Sequence, residues 1–108
     1  MAVAIVSLPS CVTSAAGQVS SAVRTIDDAW GMTIYAPVTL SSTSNMVQVE
    51  PTSTGIDFVV LQSGGVDVVF EAGKATVISP VTFRQIRISG NTPESGTRTF
   101  TLTKAVLT

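Results

Sequence analysis

The sequence predicts an all-β protein, a single-domain antiparallel β-sandwich or jelly roll that spans residues 1–108 and has at most a short helical turn. Turn residues recur at short intervals, from Gly17 through the Gly64–Gly65 pair to Gly96. The runs between them are rich in valine, isoleucine, threonine and phenylalanine, which is typical of the short strands of sandwiches and barrels. We expect strands at residues 3–8, 18–24, 31–36, 45–50, 56–62, 66–71, 74–79, 83–89 and 98–106.

The last of these runs has the clearest alternation. Phe100 and Leu102 share one parity and are expected in the core, whereas Thr99 and Thr101 share the other parity and are expected outside. This run and residues 83–89 flank a polar loop and are expected to pair as an antiparallel hairpin.

The run VTFRQIRISG breaks its own alternation. Phe83 has the opposite parity to Ile86 and Ile88. A strand that buries all three therefore needs a bulge near Arg84–Gln85, or a start after Phe83.

Paired small residues predict two further turns. Gly64–Gly65 is a two-residue hairpin signal, and Ala72–Gly73 is a second turn, so residues 56–79 are expected to form a three-stranded meander. The expected core contains large apolar residues from these and the later runs: Val59, Leu61, Val68, Phe70, Val77, Phe83, Ile86, Ile88, Phe100 and Leu102. A single helical turn is expected near Thr25–Trp30, with Thr25 as its cap.

The composition excludes several kinds of chemistry. Histidine is absent, which removes the commonest general base and zinc ligand, and Cys11 has no second cysteine to pair with. Charged residues are only 12% of the chain and the net charge is −1, whereas nucleic-acid binders show a basic patch. Serine and threonine together number 28. This neutral, hydroxyl-rich composition suits a protein packed against copies of itself or a partner, although a neutral monomer fits it as well.

The first residues have no basic segment, and Ser7 and Pro9 interrupt their apolar run. We therefore expect neither a signal peptide nor a membrane span, and a chain that is made in the cytoplasm and not processed. Residues 1–13 are a candidate N-terminal arm. Its apolar side chains would cover either an edge of the chain's own sheet or a neighbouring subunit, and the neighbour is the expected partner.

The candidate site residues are aromatic and aliphatic. Asp27–Asp28 fits a turn or a cap better than a metal site, and Asp57 and Asp67 fit the solvent face of a hairpin better than a glycosidase pair. Trp30 and Tyr35 are candidates for an interface or for sugar stacking, and Trp30 also fits a plug at the end of the sandwich. No catalytic, metal-binding or cofactor-binding residue is predicted, so an enzyme is not expected. The suspected interface residues are Val3, Ile5, Val6, Leu8, Trp30 and Tyr35.

Four segments carry a family resemblance: WGMTIYAPVTL, NMVQVEPTSTGIDFVVLQSGG, FEAGKATVISPVTFRQIRISG and RTFTLTK. Their order resembles small all-β virion proteins of tailed bacteriophages, most of all capsid decoration, or cement, proteins. The resemblance implies a structural subunit of the virion, assembled in the host cytoplasm, that binds the outer capsid lattice and stabilises it. Its implied partners are the major capsid protein or other virion subunits and copies of itself, with no nucleic acid, membrane or cofactor. The alternatives are a tail, fibre or head–tail joining component, and a carbohydrate-binding module.

The fold class predicts a specific circular dichroism spectrum. We expect a far-ultraviolet spectrum of the purified chain dominated by strand, with less than roughly 15% helix, against the about 30–35% of an average soluble domain. A helix-dominated spectrum would contradict the assignment.

Overall fold

The computed structural model describes residues 2–13, 21, 23–40, 46–50, 58–89 and 96–107, with the backbone alone for Thr13 and residues 46–50. Within these ranges the chain forms strands and no helix. The strands are β1 (Val3–Thr13), β2 (Arg24–Thr25), β3 (Gly31–Tyr35), β4 (Met46–Glu50), β5 (Val59–Val60), β6 (Gln62–Ser63), β7 (Val66–Asp67), β8 (Ala75–Ile78), β9 (Gln85–Ser89) and β10 (Arg98–Leu107).

The strands form two antiparallel four-stranded sheets and one separate hairpin. Sheet A has the order β1-β10-β3-β8, sheet B has the order β2-β9-β4-β5, and β6 pairs with β7. Apart from that hairpin, the pairs are nested: β1 with β10, β2 with β9, β3 with β8 and β4 with β5. Rolling this nested ribbon brings β10 against β3 and β9 against β4. This is the connectivity of a jelly roll, one of the two architectures that the sequence predicts.

The two sheets enclose one hydrophobic core. Sheet A contributes Phe100 and Leu102 from β10, both fully buried, and sheet B contributes Ile86 and Ile88 from β9. The Phe70 ring lies 5.2 Å from the Phe100 ring, centroid to centroid, at an interplanar angle of 52°. Such tilted aromatic pairs stabilise a core beyond the area they bury. The remaining buried apolar residues of the cluster are Cys11, Ile26, Met32, Ile34, Ala36, Leu40, Ile78 and Phe83.

The alternation predicted for the last strand is confirmed. Phe100 and Leu102 face the core, and Thr99 and Thr101 are exposed on the other side of β10. The parity break before β9 is resolved by a late start, because β9 begins at Gln85 and Phe83 is buried just ahead of it.

The predicted pairing of residues 83–89 with 98–106 is wrong. β9 lies in sheet B and β10 in sheet A, so the connection between them crosses from one sheet to the other. The predicted meander is also wrong, because β5 pairs with β4 and β8 with β3. The Gly64–Gly65 turn is confirmed between β6 and β7, where φ is 61° and 81°, a backbone conformation that glycine adopts without steric cost.

Two valines expected in the core are exposed. Val77 is 70% exposed because β8 turns its neighbour Ile78 inwards, and Val59 is 60% exposed on the edge strand β5. Leu61 and Val68 pack against the core and are partly buried, and the other six predicted core residues are buried.

The expected helical turn is absent. Thr25 belongs to β2, and Asp28 has a φ of 54°, which lies outside the right-handed helical region. Residues 18–20 and 22 of the strand expected at 18–24, residue 45 of the strand expected at 45–50, and residues 56 and 57 of the strand expected at 56–62 lie outside the described residues.

The candidate N-terminal arm is a strand of the chain's own sheet. β1 runs antiparallel along β10 from Val3 opposite Leu107 to Thr13 opposite Arg98, with a register shift between Leu8 and Cys11. Within one chain, the arm therefore covers its own sheet rather than reaching away from it, and its free side forms one edge of sheet A.

The core predicts a sharp contrast between neighbouring positions of β10. Replacing Phe100 by alanine should lower the free energy of unfolding by about 3–5 kcal/mol, because a fully buried ring leaves a cavity and loses its contact with Phe70. Thr101→Ala, on the exposed side of the same strand, should change it by less than about 1 kcal/mol. Urea unfolding followed by tryptophan fluorescence measures both, and equal effects would contradict the assigned parity.

Candidate interaction surface

The outer face of sheet A is the largest strand surface of the described residues, because it contains the two long strands β1 and β10. We define it as the side chains of β1, β10, β3 and β8 that point away from the core. Their register aligns them in rows across the sheet, such as Ser7, Thr103, Thr33 and Val77. The fourteen positions of this face are Val3, Ile5, Ser7, Val12, Gly31, Thr33, Tyr35, Ala75, Val77, Thr99, Thr101, Thr103, Ala105 and Leu107.

None of these fourteen positions carries a charge. If about 25% of these positions were charged, as in an average soluble domain, roughly three or four of the fourteen would carry a charge. The two cations of β10, Arg98 and Lys104, share the parity of Phe100. Their side chains therefore lie on the core-facing side of β10 and not on the outer face. Lys104 donates from Nζ to the main-chain oxygen of Asp27 at 2.6 Å. The outer face of sheet A is thus a neutral mixture of hydroxyl and aliphatic groups.

The corresponding face of sheet B differs in chemistry. On β9, Gln85, Arg87 and Ser89 have the outward parity, and the Arg87 guanidinium carbon lies 4.3 Å from the centroid of the Phe58 ring. Ser89 is buried and Arg87 is half-buried. Among the described residues, this face therefore presents a charge held on an aromatic ring, whereas the outer face of sheet A carries no charge.

Three of the suspected interface residues lie on the outer face of sheet A, Val3 and Ile5 on β1 and Tyr35 two strands away on β3. Val3 is 53% exposed, Ile5 67% and Tyr35 45%. Val6 is also exposed, but it shares the parity of the core-facing side of β1. Leu8 differs from the others because it packs against the core.

Trp30 and Tyr35 do not form one binding platform. They lie at opposite ends of β3, which places them about 16 Å apart along the strand. The Trp30 backbone is anchored there, since its N–H donates to Ala105 and its oxygen accepts from Val81. At this separation, Trp30 and Tyr35 cannot both stack on the same sugar ring.

The sequence interpretation missed most of this surface. Val77, Thr33 and Thr103 were not among the suspected interface residues, and Val77 was assigned to the core. The period of two is visible in each strand, but it shows that two side chains share a face only after the strand order is known.

The polar candidates form no cluster. Asp27 Oδ1 lies 3.8 Å from Arg84 Nη2, with both side chains largely exposed, beside an open depression of about 240 Å³. Asp67 accepts a 2.7 Å hydrogen bond from Gln62 Nε2, while Asp57 lies outside the described residues. In the ranges that the structure describes, no three histidine, cysteine, aspartate or glutamate residues are placed to hold a metal ion. The same ranges contain no helix long and apolar enough to cross a bilayer.

Polar contacts join the two sheets beside β1. Arg24 of β2 donates from Nε and Nη2 to the main-chain oxygen of Ser10, at 3.0 and 2.6 Å. Ser21 exchanges two hydrogen bonds with Ile88: its N–H donates to the Ile88 oxygen, and its hydroxyl accepts from the Ile88 N–H. The fully buried Cys11 lies under this seam. Burial raises the pKa of its thiol, while a hydrogen bond with Ser21 and the charge of Arg24 act in the opposite direction.

Comparison of the chain with protein-family models, with curated proteins and with solved structures returns no match.

The burial of Cys11 predicts an unreactive thiol. A thiol-specific reagent such as dithionitrobenzoate should label the native protein only as fast as it unfolds, because the thiol is inaccessible and its pKa is raised. Labelling should become rapid in urea.

The raised pKa also fixes the sign of a pH effect. The unfolded chain gives up the thiol proton at lower pH than the folded chain does, so this contribution to stability is present at neutral pH and is lost as the pH rises through the folded pKa. Cys11→Ala should show a smaller alkaline loss of unfolding free energy. Rapid native labelling, or equal alkaline losses, would contradict the buried site.

Proposed function

We propose that this protein is a structural subunit of a virus particle, a decoration or cement subunit that binds the outer capsid lattice and stabilises it. It does so without catalysis, by packing the outer face of sheet A against the shell. Its partners are the major capsid protein or other virion subunits, and copies of itself.

The single observation that carries this proposal is the neutral outer face of sheet A. Its four strands comprise 30 residues. At about 3.3 by 4.8 Å per strand residue they span about 500 Å². A standard interface buries about 800 Å² per partner, so this face provides a large part of one side of such an interface.

The chemistry of the face favours burial. Moving a charge out of water costs several kcal/mol unless it is paired, and this face carries no charge to desolvate. Its threonine hydroxyls can both donate and accept hydrogen bonds, so they can be satisfied by a partner's main chain. A protein that spends its time in contact with a lattice benefits from both properties.

The fold is compatible with this function but does not select it. Jelly rolls occur in viral capsid domains, and also in lectins and cupins. The resemblance of four segments of the sequence to decoration proteins supports the first of these. A tail, fibre or head–tail joining role uses the same kind of surface and differs in its copy number per particle.

Particle analysis tests the proposal. Virus particles from the source culture are purified on a density gradient, and the protein is quantified against the major capsid protein by mass spectrometry. A decoration subunit should be present in numbers that scale with the capsid lattice, and particles without it should lose their genome at lower temperature. A few copies per particle would assign it to the tail or the joining region. Its absence from particles would contradict a virion role.

A pair of valine substitutions tests the binding face. Val77→Lys should weaken binding of the purified protein to stripped capsids at least about 30-fold, because it would bury an unpaired charge that costs about 2 kcal/mol or more. Val66→Lys is the matched control, since Val66 is 68% exposed against 70% for Val77 but lies on the β6–β7 hairpin. Unfolding free energies should differ by less than about 0.5 kcal/mol. Equal binding by both variants would show that another face contacts the capsid.

A further inference from the structure

The four edges of the two sheets are very unequal. β2 and β5, the edges of sheet B, have 2 residues each, and β8, one edge of sheet A, has 4. β1, the other edge of sheet A, has 11. Short edge strands are one way in which proteins prevent unwanted strand pairing, whereas a long, flat, apolar edge is a template for another strand.

Only one half of β1 is guarded. Its second half contains Pro9, which has no N–H to donate, and a register shift lies between Leu8 and Cys11. In addition, the main-chain oxygen of Ser10 already accepts hydrogen bonds from Arg24. Proline, bulges and covering groups are recognised protections of sheet edges. The segment Val3–Leu8 contains no proline, no charge and no register shift. In the described part of the chain, its one strand neighbour is β10.

We propose that this unguarded half of β1 pairs antiparallel with the same segment of a second copy, about a twofold axis that passes midway between the two copies of Ile5. The result is a continuous eight-stranded sheet built from two copies of sheet A. A twofold axis perpendicular to the sheet places outward side chains opposite outward side chains, so the register must be centred on a residue.

The positions of the proline and of the strand start select that residue. Centring on Ile5 places Val3 opposite Ser7 of the second copy and Ala4 opposite Val6, and Pro9 is left outside the pairing. Centring on Val6 would bring Pro9 opposite Val3. Centring on Ala4 would run past the start of β1 after one flanking pair on each side.

A second copy suits the chemistry of the segment. Ile5 is 67% exposed and would pack against Ile5 of the partner, with Val3 beside it on the same face. No like charges meet, because the segment carries none. The paired edges cover a strip about 20 Å long and 10 Å high, about 200 Å² per partner. This is roughly a quarter of a standard interface, so the dimer of the free protein is weak and reversible, and a lattice that holds copies side by side strengthens it through effective concentration.

Sedimentation of the full chain gives the first test. The sedimentation coefficient should rise from that of a monomer to that of a dimer between low micromolar and millimolar concentrations. Ile5→Lys should raise the dimer dissociation constant at least about 10-fold, since it places two ammonium groups opposite each other. Val77→Lys, at the other edge of sheet A, should leave the dimer unchanged. A chain that stays monomeric at millimolar concentration overturns the proposal, including the case in which β1 pairs with a different protein.

Cysteine trapping gives the register. In the proposed dimer the two Ile5 Cα atoms lie about 4.5–5.5 Å apart, within the range of a disulfide, whereas the two Val3 Cα atoms lie about 14 Å apart. Ile5→Cys should therefore form a disulfide-linked dimer under mild oxidation and Val3→Cys should not, although both side chains are exposed on the same strand face. The native Cys11 is fully buried and adds no background. Equal cross-linking of the two variants, or none in either, overturns the twofold pairing at Ile5.

These tests are independent of the virion proposal. They use the purified protein alone, and Val77→Lys separates the two proposals: it should weaken capsid binding and leave the dimer unchanged. If the purified protein does not dimerise but binds capsids fully, only the strand pairing is refuted. If the protein dimerises as proposed but is absent from virus particles, only the virion role is refuted.

Discussion

Strand β10 carries the constraint on which the rest of the structure depends. It is hydrogen-bonded to β1 on one side and to β3 on the other, so its backbone fixes the register of half of sheet A. Its alternation then fixes two surfaces at once. Phe100 and Leu102 are fully buried on one side, and a row of threonines lies on the other. The alternation of side chains along β10 thus determines the chemistry of both the core and the outer face.

The neutral outer face of sheet A follows from how the chain places its few charges. Cations on β10 have the inward parity, and Lys104 satisfies its ammonium group on the main-chain oxygen of Asp27. Arg24 satisfies its guanidinium on Ser10, where it also closes the side of the sandwich. These two cations therefore strengthen a junction of the fold instead of lying on the outer face of sheet A. The same distribution of charges leaves the first half of β1 without a charged side chain that would disfavour pairing with another strand.

The sequence predicted local structure well and strand partners badly. Parity in residues 98–106 and the Gly64–Gly65 turn were read correctly because each depends on residues that are adjacent in the chain. The pairing of β9 with β10 was wrong because this jelly roll places β9 in sheet B and β10 in sheet A, a choice that no local pattern records. The error over Val77 has the same origin: an apolar residue in a strand signals burial only once its face is known, and on β8 the inward position belongs to Ile78. Among the suspected interface residues, Val3, Ile5 and Tyr35 are exposed on the outer face of sheet A, whereas Leu8 packs against the core; their role in an interface stays a prediction.

The nested pairing also gives the chain a nearly circular path. Val3 lies directly opposite Leu107, so the two ends of the roll are cross-strand neighbours within about 5.5 Å. The strand pairing therefore does not depend on which strand comes first in the chain, because a short linker could connect Leu107 to Val3. The exposed Gly64–Gly65 turn belongs to a hairpin outside both sheets, and opening the backbone there would interrupt no pairing of sheet A or sheet B. The pairing of β1 with β10 thus closes the set of nested strand pairs.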